Sequence, residues 1–120
     1  MNHAAPNPYA PFTRRDKALL RILLDHPQLV PLAAELLDPQ WVENLEARAL
    51  LRLIFQIAQQ PGVPLMYTIL EKTRTNNLRE ALEEVIFSTD ETLSLDVSQD
   101  ILLKIIKLNR FAYIHHETES

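Results

Sequence analysis

The chain has four histidines, the residue type that most often binds a metal or acts as a general base near neutral pH. His115 and His116 are adjacent, so on a helix they point about 100° apart and cannot both bind one ion. His26 precedes Pro27 at a helix boundary, and His3 lies near the start. There is no H-x-x-x-H or H-E-x-x-H pattern and no cysteine to supply a thiolate. The sequence therefore predicts no metal site.

Other reactive residue types occur without the pattern that their chemistry requires. Glu80, Glu83 and Glu84 have the spacing of a solvated helix face, and nothing in the sequence places them in a pocket. No serine is flanked by the glycines of a nucleophile elbow. Gly62 is the one glycine, so a glycine-rich phosphate loop cannot form. We expect no catalysis and no cofactor in this chain.

The composition indicates one helical domain. The chain has 120 residues, 47% of them hydrophobic, and a single glycine argues against the many turns of a β-rich fold. The net charge of −4 gives no general reason to bind nucleic acid or an anionic membrane. No apolar run reaches the roughly 18 residues of a membrane span, and the start does not resemble a signal peptide. We expect a cytoplasmic protein.

Prolines and capping residues divide the chain. Residues 1–12 contain three prolines and predict a disordered leader or the remnant of an interdomain linker, with the domain in 13–120. Thr13 and Asp16 have the spacing of a capping box, and Asn44 can cap the most apolar helix, which we expect at the centre of the bundle. Further signals are the stops at Pro27 and "PGVP", a helix over about 65–72, a cap at Asn76 or Asn77, and the cap pair Asp96 and Gln99.

The sequence thus predicts an all-α compact bundle of about six or seven helices that ends in a long C-terminal helix. In the last helix a stripe with helical spacing predicts core packing: Val97, Ile101, Ile105, Leu108 and Ala112. Leu102, Ile106 and Tyr113 extend this apolar arc to about half of the helix circumference. The opposite side mixes cations with large apolar residues, which is typical of an interface. The candidate partner-binding residues are Leu103, Lys107, Arg110, Phe111, Tyr113, Ile114 and His115. Two other interpretations stay open: the helix is buried more deeply, or it packs on its copy in a homodimer.

Nucleic-acid binding is a further alternative, since small helical bundles often contain helix-turn-helix pairs. "RTNNLREALEEV" begins as a recognition helix would, with Arg74, Asn76 and Asn77. It then becomes acidic at Glu80, Glu83 and Glu84, whose carboxylates would face phosphates. We therefore expect no direct binding of DNA or RNA.

The order of these segments resembles the C-terminal domain of bacterial replicative DNA primase. "LLRILLDHPQLVPLA", "ALLRLIFQIAQQPGVP" and "RTNNLREALEEV" are similar to successive segments of that family, and the match covers Ala18 to His116. The resemblance implies a non-catalytic helical bundle that binds the N-terminal domains of the hexameric replicative helicase during priming. The zinc-binding and polymerase domains of such a primase come earlier in its chain.

In that family the long last helix leads into a helical hairpin whose tip contacts the helicase. The resemblance places the tip at Phe111 to His116, and the second hairpin arm does not occur before Ser120. The N-terminal domain of the helicase itself has a related helical fold and is the nearest alternative. It typically opens with a Glu-Ala-Glu helix and a glycine-rich turn, and neither occurs here.

Overall fold

The computed structural model describes residues 9–88 and 92–119, with side chains through His115. These ranges contain six α-helices and no strand. They are α1 (Arg14–Asp25), α2 (Val30–Leu36), α3 (Leu45–Ala58), α4 (Leu65–Lys72), α5 (Leu78–Ile86) and α6 (Leu95–Glu119). Short 3-10 turns at Pro27–Leu29 and Pro39–Trp41 flank α2. The predicted all-α bundle with a long last helix is confirmed.

The helix starts form largely as the capping residues predict. The Thr13 hydroxyl accepts from the Asp16 N–H at 3.0 Å, while the Asp16 carboxylate accepts from the Thr13 N–H at 3.2 Å. Asn44 Oδ1 accepts from the Ala47 N–H at 2.8 Å. Each bond satisfies a backbone donor that has no partner within the helix, which fixes where α1 and α3 begin.

The start of α5 agrees with the predicted cap at Asn76 or Asn77, whereas the start of α6 differs from its prediction. Asn77 stands at the N-cap position of α5, but its side chain makes no capping bond, and Asn76 Oδ1 accepts from the Leu78 N–H at 2.9 Å instead. The predicted cap pair of Asp96 and Gln99 is wrong, because α6 begins at Leu95 and the Ser94 hydroxyl accepts from the Val97 N–H at 3.3 Å. A hydroxyl two residues upstream satisfies a free N–H of the first turn, so the helix begins two residues earlier than predicted.

The core is built around α3, as its apolar character predicts. This helix contacts α1, α2, α4 and α5. Leu51 and Ile54 of α3 are 0% exposed, and Leu23 of α1 is equally buried. Full burial of such a side chain stabilises the fold by about 1.5–3 kcal/mol. The core is therefore centred on α3, and α6 adds Leu102, Ile105 and Ile106 to it from one side.

The described structure includes residues 9–12, which belong to the segment predicted as a leader. Ala10 is buried, and its carbonyl accepts a hydrogen bond from Asn44 Nδ2 at 2.9 Å. Phe12 packs partly buried against the core, with the Lys17 ammonium 5.4 Å from its ring centroid. Residues 1–8, including His3, lie outside the described ranges. The folded part of the chain thus begins before Thr13, because the Asn44 side chain binds the backbone of the segment that precedes α1.

Candidate protein-binding surface

The buried side of α6 is marked by side chains spaced at i, i+4, i+7, i+8 and i+11. These are Ser98, Leu102, Ile105, Ile106 and Asn109. They face α1, α2 and the turn at Pro39–Trp41, with which α6 is in contact. Leu102 is 0% exposed, so this face anchors the helix on the bundle.

The stripe predicted as the core of α6 is therefore wrong in register. Ile105 is buried and Ile101 is half-buried, but Val97 and Leu108 are 46% and 51% exposed and Ala112 is exposed. The helix is rotated by about one residue, or 100°, relative to the prediction. The stripe found in the core contains Ser98 and Asn109, which a hydrophobic pattern does not select. Because α6 carries apolar residues on more than one side, the predicted stripe and the observed stripe both have the spacing of a helix face.

An aromatic contact holds the later part of α6 to the bundle. The ring centroids of Tyr113 and Trp41 lie 6.4 Å apart at an interplanar angle of 38°, within the range of favourable aromatic pairs. Trp41 lies on the 3-10 turn, which Arg48 braces by donating to the Val42 carbonyl at 2.9 Å. Tyr113, a candidate binding residue, is thus half-buried and packs within the molecule. Its contact orients the last turns of the helix.

The remaining candidate residues divide by exposure. Leu103 is half-buried, whereas Lys107, Arg110 and His115 are exposed. Phe111 and Ile114 are 61% and 46% exposed. The side chain of His116, the last residue of the expected tip, lies outside the described residues.

A stacked pair lies near the end of this surface. The rings of Phe111 and His115, one helical turn apart, have centroids 3.9 Å apart at an interplanar angle of 36°. The pair holds the Phe111 ring along the helix surface, where it stays accessible to a partner.

A stripe of mostly apolar residues runs along the solvent side of α6, and its members Val97, Ile101 and Leu108 had been predicted as core. We call it the α6 seam. Its members are separated by alternating steps of four and three residues: Val97, Ile101, Lys104, Leu108, Phe111 and His115. Of the eleven large apolar side chains that are exposed in the described residues, five belong to α6: Leu95, Val97, Leu108, Phe111 and Ile114. The concentration of exposed apolar side chains on one helix is characteristic of a protein-binding surface.

Charge is distributed unevenly along α6. Asp96 and Asp100 lie in its first turns, and Lys104, Lys107 and Arg110 follow, with no acid between Asp100 and Glu117. The ion pair that the described residues contain is elsewhere, between Arg21 and Asp25 at 2.9 Å. The cations of α6 are therefore available to an external partner.

Two surface grooves lie away from the end of α6. A groove of about 870 Å³ runs between α1, the end of α5 and the start of α6, with Ile22, Phe87 and Ile101 among its apolar lining and Arg14 and Lys17 on its rim. A second, of about 600 Å³, has an acidic lining that includes Glu80, Glu83 and Glu84.

Phe87 lines both grooves and is 79% exposed. No sequence motif predicted a role for Phe87, although it follows Glu80 and Glu83 at the spacing of one helix face. Helical spacing from those exposed glutamates is the signal that could have located it.

The residues that were candidates for chemistry either make hydrogen bonds within the fold or face solvent. His26 Nε2 lies 2.8 Å from the Leu93 carbonyl, which joins the end of α1 to the segment before α6. The hydroxyl of Ser88 donates to the Val85 carbonyl at 2.7 Å. Glu83 and Glu84 are exposed. No group of three or more acidic or histidine side chains in the described part of the chain could hold a metal ion.

None of the helices within the described ranges combines the length and apolar character that crossing a membrane requires. Comparison of the chain with protein-family models, curated proteins and solved structures found no match.

Proposed function

We propose that this chain is a non-catalytic docking domain that binds another protein through the exposed side of α6. The observation that carries the proposal is the exposure of Leu108, Phe111 and Ile114, by 51%, 61% and 46%, beside Lys107 and Arg110. Large exposed apolar side chains among cations, with aromatic and Arg residues, are the usual composition of a binding hot spot.

The position of these residues supports the same interpretation. Asn109 is the last buried residue of α6 among the side chains that the structure describes, and Tyr113 is held against Trp41. The helix has 25 residues, or about 37 Å at 1.5 Å per residue. The bundle beneath therefore presents a rigid, preformed helix surface, which lowers the ordering cost of binding.

We further propose that the partner is the N-terminal part of a bacterial replicative hexameric helicase. The support is the resemblance of "LLRILLDHPQLVPLA" and "RTNNLREALEEV" to the primase C-terminal domain, together with the all-helical fold that this resemblance implies. In this proposal the polymerase chemistry belongs to other domains of the primase. The present domain acts only by recruiting that chemistry to the helicase in the cytoplasm.

A binding measurement with matched variants tests the proposal. The purified chain is titrated with the N-terminal domain of the cognate helicase by calorimetry. The double variant Phe111→Ser/Ile114→Ser should bind at least tenfold more weakly, and circular dichroism should show an unchanged helical content. Tyr67→Ser is the matched control, because Tyr67 is 66% exposed on α4, and it should leave affinity unchanged.

Two results would contradict the proposal. One is an affinity that the double variant leaves unaltered, which would remove α6 from the contact. The other is tight binding of DNA that falls steeply with salt, the behaviour of a nucleic-acid-binding domain.

A further inference from the structure

The α6 seam has the spacing with which two helices pack side by side. Alternating steps of four and three residues keep one stripe facing a neighbouring helix over several turns. Four of its six positions are apolar or aromatic: Val97, Ile101, Leu108 and Phe111. Its largely exposed apolar members, Val97, Leu108 and Phe111, are left uncovered by the other described helices. The seam is thus suited to packing against a helix that the described part of the chain does not supply.

The charges beside the seam identify that helix. The first half of α6 carries Asp96 and Asp100, and the second half carries Lys104, Lys107 and Arg110. A parallel copy of α6 would bring like charges together, which disfavours association. In the antiparallel register whose axis passes near Leu103 and Lys104, Asp100 of each chain lies near Lys107 of the other. These flanking charges favour the antiparallel direction only, while the two Lys104 side chains lie close to the axis and oppose the contact.

We propose that the α6 seam binds the same seam of a second copy, packed antiparallel about a twofold axis. Such a contact uses one surface twice and closes as a dimer, which is the commonest symmetry of soluble assemblies. In this register the seams overlap from Val97 to Arg110 of each copy, a length of about 20 Å. A contact one helix wide and of that length is smaller than the roughly 1,200 Å² of a stable interface. The dimer is weak and depends on protein concentration.

The dimer also bears on the proposed partner, although it does not depend on that partner's identity. It covers Leu108, which the proposed function assigns to the other protein. A second copy and the partner then compete for α6. The dimer is measured without any partner protein. Absence of a dimer would therefore not contradict the proposed function, and failure to bind the helicase would not contradict the dimer.

Sedimentation velocity over a wide concentration range, at low salt, tests the dimer. The intact chain should pass from monomer to dimer as concentration rises. Asp100→Lys and Lys107→Asp should each raise the dissociation constant at least tenfold, because each places like charges across the axis. Glu35→Lys, a reversal at an exposed position of α2, should have no effect.

Exchanging the charges at positions 100 and 107 gives the decisive test. The double variant Asp100→Lys/Lys107→Asp should recover the dimer, since it restores opposite charges across the axis. An equimolar mixture of the two single variants should form a heterodimer, because every cross-pair is then attractive. A chain that stays monomeric at all concentrations would overturn the inference. So would a dimer that neither reversal weakens, or one that neither the double variant nor the mixture restores.

Discussion

α3 and α6 are both apolar on more than one side, but neighbouring helices cover them to different extents. α3 has helices on several sides, and its Leu51 and Ile54 are fully buried. α6 lies along one side of the bundle, so its Leu102 is buried while its Leu108 is 51% exposed. A second apolar face becomes core only where a neighbour covers it. On α6 it remains as a surface that another molecule can use.

The largest contrast should come from truncating one leucine on each helix. Leu51→Ala should lower the free energy of unfolding by about 2–5 kcal/mol, since it leaves a cavity in a fully packed site. Leu108→Ala should change it by no more than about 0.5 kcal/mol, as is usual for surface positions. Urea denaturation of both variants gives the comparison. Equal losses would mean that α6 is buried on both sides.

A smaller contrast should appear at the starts of the two helices. Asn44→Ala should cost about 1–2 kcal/mol, because the Ala47 N–H loses its cap and the Ala10 carbonyl loses its donor. Ser94→Ala should cost about 0.5 kcal/mol, since its bond to Val97 is 3.3 Å long and exposed. Thermal unfolding of the two variants measures the difference. The reverse order would show that α6 depends on its cap more than α3 does.

The sequence predicts much of this fold because many of its determinants are local. The capping residues Thr13 and Asn44 act on donors two or three positions away, and the observed bounds of α4, 65–72, match those predicted from the sequence. The register of α6 depends instead on distant neighbours. Ser98 and Asn109 are buried because other helices cover them, and no local rule selects a serine or an asparagine for a core.

Asn109 gives a prediction about the buried face that the sequence pattern missed. Its side chain is 2% exposed, and its Oδ1 accepts no hydrogen bond within the described residues. Asn109→Leu should therefore raise the free energy of unfolding by about 1 kcal/mol, because it replaces an unsatisfied polar group with an apolar one of similar size. Chemical denaturation checks the sign. A destabilised variant would indicate that the amide has a partner in solution.

The smallest expected effect concerns a buried carboxyl at the start of α1. Burial raises the pKa of Asp16 above its ordinary value of 3.8, against the opposing effect of its hydrogen bonds with Thr13. The folded state thus binds this proton more tightly than the unfolded state does. The contribution of Asp16 to stability should increase as pH falls through the raised pKa, and level off below 3.8.

Asp16→Asn isolates that contribution, because the amide keeps an acceptor oxygen but does not titrate. The free energy of unfolding of the wild-type chain, relative to the variant, should rise as the pH is lowered. Denaturation of both proteins at a series of pH values gives this difference. A relative loss of wild-type stability on acidification would show that the hydrogen bonds, and not burial, dominate the pKa.

The most direct test of the account is to map where a partner contacts the chain. Amide signals of the isotope-labelled domain are recorded by nuclear magnetic resonance while the helicase N-terminal domain is added. We predict shifts or broadening concentrated on the seam side of α6, at Leu108, Phe111 and their neighbours, with α3 and α4 little changed. Perturbations centred on α4 or on the acidic face of α5, with α6 unaffected, would contradict the claim that the second apolar face of α6 is the binding surface.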